Sequence, residues 1–125
     1  MIVGSFLVKH LLIHWIEGEK HFRKCLLDYN EANNISGWQW VAGCGADAAP
    51  YFRIFNPILQ GEKFDKYCDY VKKWVPELRK VPKKFIHKPW EINDENILML
   101  NKDYPSPVVN HEEARSRALA AFKKI

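Results

Sequence analysis

Residues 37–60 read Gly37-Trp38-Gln39-Trp40-Val41-Ala42-Gly43-Cys44-Gly45-Ala46-Asp47-Ala48-Ala49-Pro50-Tyr51-Phe52-Arg53-Ile54-Phe55-Asn56-Pro57-Ile58-Leu59-Gln60. The stretch holds two tryptophans, three glycines, two prolines, an acid and an arginine, with no sustained helical or strand period. Each large ring carries more than ~100 Å² of apolar surface, which is costly to leave in water. The segment must therefore be buried in the fold, stacked on a flat ligand, or both.

The surrounding chain has 125 residues, enough for one domain at most. Its apolar (47%) and charged (27%) fractions are ordinary for a globular protein, but five tryptophans and an aromatic fraction of 14% are not. Indoles at this density point to a ligand site or an interface as well as a core. The net charge is +4. From Glu62 to Lys88 there are nine Lys/Arg against the four acids Glu62, Asp65, Asp69 and Glu77. That run reads as a solvated basic face or as a phosphate-binding surface. Cys25, Cys44 and Cys68 are widely spaced with no CxxC, as expected of reduced thiols in a cytoplasmic protein. The first residues lack the pattern of a secretory signal, and no apolar run approaches the ~18 residues of a membrane helix, so no membrane partner is expected.

Periodicity organises the rest. Apolar residues over 2–16 predict a nearly buried helix, interrupted by Gly18, and a second helix over about 19–28. Asp28 to Gly37 is turn and cap chemistry, expected as a loop. Trp38 to Gly43 predicts a short helix ended by Gly43 and Gly45, followed by an irregular segment over 46–61. Phe64, Tyr67, Cys68, Val71, Trp74 and Val75 form an i, i+3, i+4, i+7 stripe, predicting a helix that Pro76 stops. Five prolines over 76–107 predict a wrapping arm with brief turns near Glu77–Lys80 and Asn96–Leu100. Asn110 with Glu113 makes a capping box opening a last helix to about Lys123. No segment alternates long enough for a strand. The fold expected is all-α, an irregular helical bundle with long loops, and such loops carry function or wrap a larger body. Met1 precedes a buried-type helix with no cap, which suggests a piece of something larger.

Several constellations have both a bland and a chemical reading. Trp15, Trp38 and Trp40 suit core rings; yet Trp38 and Trp40, two apart, would point about 200° apart on a helix, so one can face a cavity. Asp28, Asn30 and Asn34 suit caps and Asx-turns, and equally suit ribose hydroxyls or the edge of a heterocycle. His10 and His14 are spaced i, i+4 but lack the glutamate of a zincin motif, and read as exposed polar positions rather than a metal pair. No P-loop, GxGxxG or thiol–histidine arrangement is present.

Gly37-Trp38-Gln39-Trp40 followed by Gly45 through Pro57 resembles the signature of the DNA photolyase/cryptochrome family, in the C-terminal part of its FAD-binding domain. Gln60 through Asp65, Ser5 through Lys9, Leu11 through Trp15, and Trp74 through Leu78 continue the likeness. So do Asp103-Tyr104-Pro105 with Pro107, and His111-Glu112 with Ala114-Arg115. The resemblance spans residues 1–125 and is nearest to bacterial class I cyclobutane pyrimidine dimer photolyases. It implies a partial FAD-binding domain, FAD as cofactor, DNA containing pyrimidine dimers as partner, and a carbon–carbon lyase driven by blue light. The damaged base is flipped out of the duplex, which a weakly stacked lesion permits.

The resemblance also implies residue roles. Asp28, Tyr29, Asn30 and Asn34 would contact FAD, Asn30 standing where relatives carry a second Asp and Asn34 facing the flavin N5. Trp38 and Trp15 would be the flavin-proximal and middle members of an electron relay. Met1 and Trp40 would meet the flipped dimer, and Arg53 the DNA backbone. The resemblance also implies an antenna domain with its chromophore and a first half of the FAD cradle outside the matched region, and a separately encoded N-terminal half as a partner. The competing readings are a cryptochrome-type photoreceptor and a non-catalytic remnant with weak DNA binding.

Overall fold

Ile2–Ser5 open the chain as one helical turn, α1, which widens into a π-helical turn over Phe6–His10 in the computed structural model. The structure describes residues 1–92 and 104–124. The widening shows in the Leu11 N–H, which donates to the Phe6 carbonyl at 3.0 Å. Leu12 then takes a left-handed conformation (φ 54°). A branched residue does so at a cost of about 1–2 kcal/mol. The continuous helix expected to Trp15 and beyond is thus broken at 11–14, not at Gly18. His14 restarts it: its Nδ1 accepts from the Ile16 N–H, capping α2 (Trp15–Cys25). Gly18 lies inside α2, where its missing side chain is used for packing.

The stretch expected as a loop from Asp28 to Gly37 is mostly helix. The Asn30 Oδ1 accepts from the Asn33 N–H at 3.0 Å, and α3 runs from Glu31 to Ala42. The residues expected to close a helix or fill an Asx-turn open a helix here instead, with Asn30 as its N-cap. Gly43, left-handed at φ 78°, ends it as expected. Residues 44–55 fold back: the Ala49 N–H reaches the Trp40 carbonyl at 3.0 Å, and the Phe55 N–H reaches Ser5 Oγ at 3.3 Å.

Two compact units result, Met1–Phe55 with Val109–Ile125, and Asn56–Val108. The first is closed by the C-terminal helix, α6 (His111–Phe122), whose cap Asn110 accepts from the Glu113 N–H as the capping box requires. Ala114 and Ala118 are its buried residues, and small side chains there allow close approach to the π-helical turn. Arg117 donates to the His10 carbonyl, and the Lys9 ammonium lies 3.6 Å from the Phe122 ring centre.

In the second unit Asn56 caps α4 (Pro57–Phe64), with Pro57 at the position where its missing N–H costs nothing. The long helix expected over Phe64–Val75 is interrupted. Cys68 is left-handed (φ 64°), and Asp65 accepts from the N–H groups of Tyr70 and Val71, both at 3.0 Å, to open α5 (Asp69–Trp74). Burial would lift the Asp65 carboxyl, but those N–H donors and nearby His87 outweigh it and hold the group below the usual range. The stripe therefore splits. Cys68, Val71 and Val75 join a core with Leu78, Val81, Ile86 and Ile92, while Phe64, Tyr67, Tyr70 and Trp74 face outward. Residues 76–92 form single turns at Pro76–Leu78 and Pro89–Glu91, and supply most of this core instead of a wrapping arm. The turn expected at Asn96–Leu100 lies outside the described residues. The fold is all-α: among the described residues there are helices and turns and no strand. No described helix is long and apolar enough to cross a membrane.

Candidate functional site

Gly18 decides how α2 and α3 meet. A Cβ there would overlap Cη2, Cζ3 and Cζ2 of the Trp38 ring, so only glycine admits the indole. Phe22, one turn further along α2, meets the same indole edge-on at 5.1 Å. Trp38 is left 5% exposed, a core ring on its α2 side.

A cleft of about 560 Å³ opens beside this junction. That lies within the roughly 300–1,000 Å³ typical of small-molecule sites. Asp28, Asn30, Asn33 and Asn34 give it a polar edge, and Phe22, Leu26, Trp38 and Trp40 an aromatic and aliphatic wall. Met1 lines it too. Asn30, Asn34, Gly37, Trp38 and Val41 reach it together because they recur at helical spacing along α3. A single helix face thus carries amides at one end and the Trp38 indole at the other, while Trp40, from outside that spacing, lines the cleft as well.

The polar edge is organised by a residue that the sequence reading missed. Glu19 is 5% exposed, and its Oε1 accepts from Arg23 Nε at 3.0 Å, Tyr29 Oη at 3.2 Å and Asn34 Nδ2 at 3.4 Å. Asn34 Nδ2 also donates to the Glu19 carbonyl at 3.2 Å. With its amide nitrogen so held, Asn34 presents Oδ1 as an acceptor with no protein partner among the described residues. The Glu19–Arg23 spacing of four was the available signal, but it resembles any surface ion pair. The Asp28 carboxylate likewise has no partner among the described residues.

The remaining sequence candidates fall around the cleft. Tyr29 turns its hydroxyl to Glu19; burial, and that carboxylate, hold the phenol above its usual range, against the pull of Arg23. Trp15 stands at the start of α2 with its ring stacked on His14 at 5.9 Å, and does not line the cleft. Arg53 is exposed, its guanidinium 5.5 Å from the Trp40 ring centre and 5.3 Å from that of Phe55. Arg53 and Trp40, named separately from sequence, thus form one cationic-aromatic corner.

The histidines divide. His14 is exposed, as expected. His10 is not: it is 1% exposed, with Nε2 2.8 Å from His111 Nδ1, because the π-helical turn points it inward toward α6. Burial, then His111, lower its pKa; the nearby Ser5 carbonyl favours the proton, but no well-formed hydrogen bond reaches Nδ1. Among the described residues no three His, Cys, Asp or Glu side chains converge to hold a metal ion. The three cysteines are free thiols; burial pushes the Cys68 thiol up, away from nucleophilic chemistry.

Residues 1–124 match the sequence profile of the FAD binding domain of DNA photolyase, so the chain belongs to that family. It is 57% identical over 129 aligned residues to a deoxyribodipyrimidine photo-lyase of Agrobacterium fabrum, covering 100% of this chain and 27% of that protein. A bacterial class III photolyase from Agrobacterium tumefaciens is similar in structure, with a TM-score of 0.90 at 57% identity over 98% of this chain and 26% of that one. A Synechocystis cryptochrome has a TM-score of 0.86 at 35% identity over 95% of this chain and 25% of its own. The chain therefore spans about a quarter of the length of these relatives. Class I was expected from the motifs, and the solved Agrobacterium protein carries the class III name; the family is common to both.

Proposed function

We propose that this chain supplies one wall of the flavin and lesion site of a light-driven deoxyribodipyrimidine photolyase. The observation that carries the reading is the convergence of Met1, Asp28, Asn30, Asn34, Trp38 and Trp40 on one cleft. The donor set fits a flavin: a flat apolar wall for the ring system, and amide and carboxylate groups for a heterocycle edge or ribose. The chemistry a reduced FAD supplies when bound is light-driven electron donation to the cyclobutane ring.

The chain's own residues hold and select. Asn34, its nitrogen fixed by Glu19, offers an oxygen suited to accept from a flavin ring N–H. Asp28 and Asn30 complete the polar edge, with Tyr29 steadying Glu19. Trp38, packed from behind by Gly18 and Phe22, is the relay ring nearest the cleft, and Trp15 on α2 the next. Trp40 and Met1 take the flipped lesion, while Arg53 beside Trp40 takes a phosphate, a role suited to its planar fork of donors. Both units belong to one FAD-binding domain, a reading supported by the profile match over residues 1–124. Its partners are dimer-containing DNA and a polypeptide carrying the remaining, antenna-bearing part of the family's length. The compartment is the cytoplasm.

A photoreceptor is the second reading, favoured by the likeness to the Synechocystis cryptochrome. A flavin experiment tests the relay common to both. The chain is assembled with a polypeptide carrying the rest of the family's length and loaded with oxidised FAD. Blue light with an external donor reduces the flavin in the parent, and Trp38→Phe slows this at least tenfold while flavin absorbance is retained. Equal photoreduction in the two, or no flavin retained by the assembled parent, contradicts the site.

A further inference from the structure

The second unit exposes an unusual set of rings. Phe64 (72%), Tyr67 (70%), Tyr70 (68%) and Trp74 (62%) stand in solvent although the stripe they belong to predicts burial. Three of the four are accompanied by an ammonium group: Lys63 lies 5.1 Å from the Phe64 ring centre, Lys83 5.3 Å from Tyr67, and Lys73 4.9 Å from Trp74. Tyr70 and Trp74, one turn apart on α5, are 6.5 Å between centroids. Lys83 also lines a cleft of about 440 Å³ with Lys66, Lys84 and His87. The two acids in that cleft are committed: Asp65 caps α5, and Glu62 lies 3.8 Å from Lys88.

From these features we infer that the Phe64–Trp74 face with its adjoining basic cleft binds single-stranded nucleic acid. The surface pairs flat rings, on which any base can stack, with cations at the short reach that separates a base from its own phosphate. It carries more positive charge than local acids neutralise, the footprint of a polyanion partner. The rings alone would also suit a protein-docking face; the lysines beside them would not, since lysine is depleted from interface cores. This surface is made by residues of the second unit, the Trp38–Trp40 cleft by residues of the first, and the inference does not rest on flavin or lesion binding.

Fluorescence anisotropy of the whole chain with a labelled oligothymidylate of about 12 nucleotides tests it, with a duplex of equal length alongside. The single strand is expected to bind more tightly than the duplex, to quench tryptophan emission, and to weaken steadily with salt. Tyr70→Ala with Trp74→Ala weakens it roughly tenfold or more; both rings are exposed, so circular dichroism stays unchanged. Lys66→Gln, Lys83→Gln and Lys84→Gln together shallow the salt dependence, while Lys20→Gln, an exposed lysine of α2 paired with Glu17, leaves single-strand affinity unaltered. No binding, equal affinity for duplex, or affinity unchanged in the ring variants overturns the inference. So does a polypeptide from the rest of the family's length that covers Tyr70 and Trp74 and excludes the oligonucleotide.

Discussion

Gly18 and Gly37 occupy neighbouring helices and respond oppositely to one methyl group. At Gly18 the added carbon overlaps the Trp38 ring, which Phe22 of the same helix meets edge-on at 5.1 Å. At Gly37, inside α3, nothing lies within 4 Å of a Cβ. Gly18→Ala should destabilise by about 1–3 kcal/mol, the usual cost of overpacking. Gly37→Ala should stabilise by about 0.5–1 kcal/mol by restricting the unfolded chain and favouring helix. Urea unfolding measures both; the same sign for the two would contradict the packing described. Residues were legible where one local stretch carried several of them, as with Asp28, Asn30 and Asn34. Glu19 was not, because its meaning lies in three donors, Arg23, Tyr29 and Asn34, gathered from different parts of the sequence.

Docking of α6 on the π-helical turn depends on the buried His10, whose pKa burial lowers. His10 and His111 share one proton-mediated contact at 2.8 Å, with the Lys9 ammonium and Arg117 guanidinium also on this junction and no carboxylate paired to any of them among the described residues. Burial lowers the His10 pKa below the ordinary 6.5, so the unfolded chain takes up a proton there that the folded chain resists. Stability therefore rises with pH across this group. It is complete above about pH 6.5 and falls as pH drops from there toward the lowered native value. Thermal melts between pH 7.5 and about 5 should show this loss, and His10→Asn should flatten it. A parent stability flat over that window would contradict a buried, neutral His10. At this scale the capped helices were readable: Asn110 with Glu113, and Gly43 as a stop. The break at 11–14 was not, because Leu12 takes a left-handed conformation that sequence reasoning reserves for glycine. The split at Asp65–Cys68 was hidden for a related reason: a side-chain cap and a left-handed cysteine override an intact apolar period.

At the scale of the whole molecule, the all-α class followed from periodicity alone, and the family from a motif running the length of the chain. Spacing could not separate core tryptophans from cleft-lining ones, and the two alternatives are not exclusive. Trp38 is both: buried against Gly18 and Phe22 on one side, and part of the cleft wall on the other. The chain covers about a quarter of its relatives, so repair is measured on an assembly with the remaining family length, loaded with reduced FAD and given DNA containing a thymine dimer. The measurement is the yield of restored thymines under blue light against a dark control. Light-dependent repair, reduced at least tenfold by Trp40→Ala with Arg53→Ala while flavin stays bound, is the predicted result. Bound, reduced flavin with no repair in the light would contradict the photolyase reading.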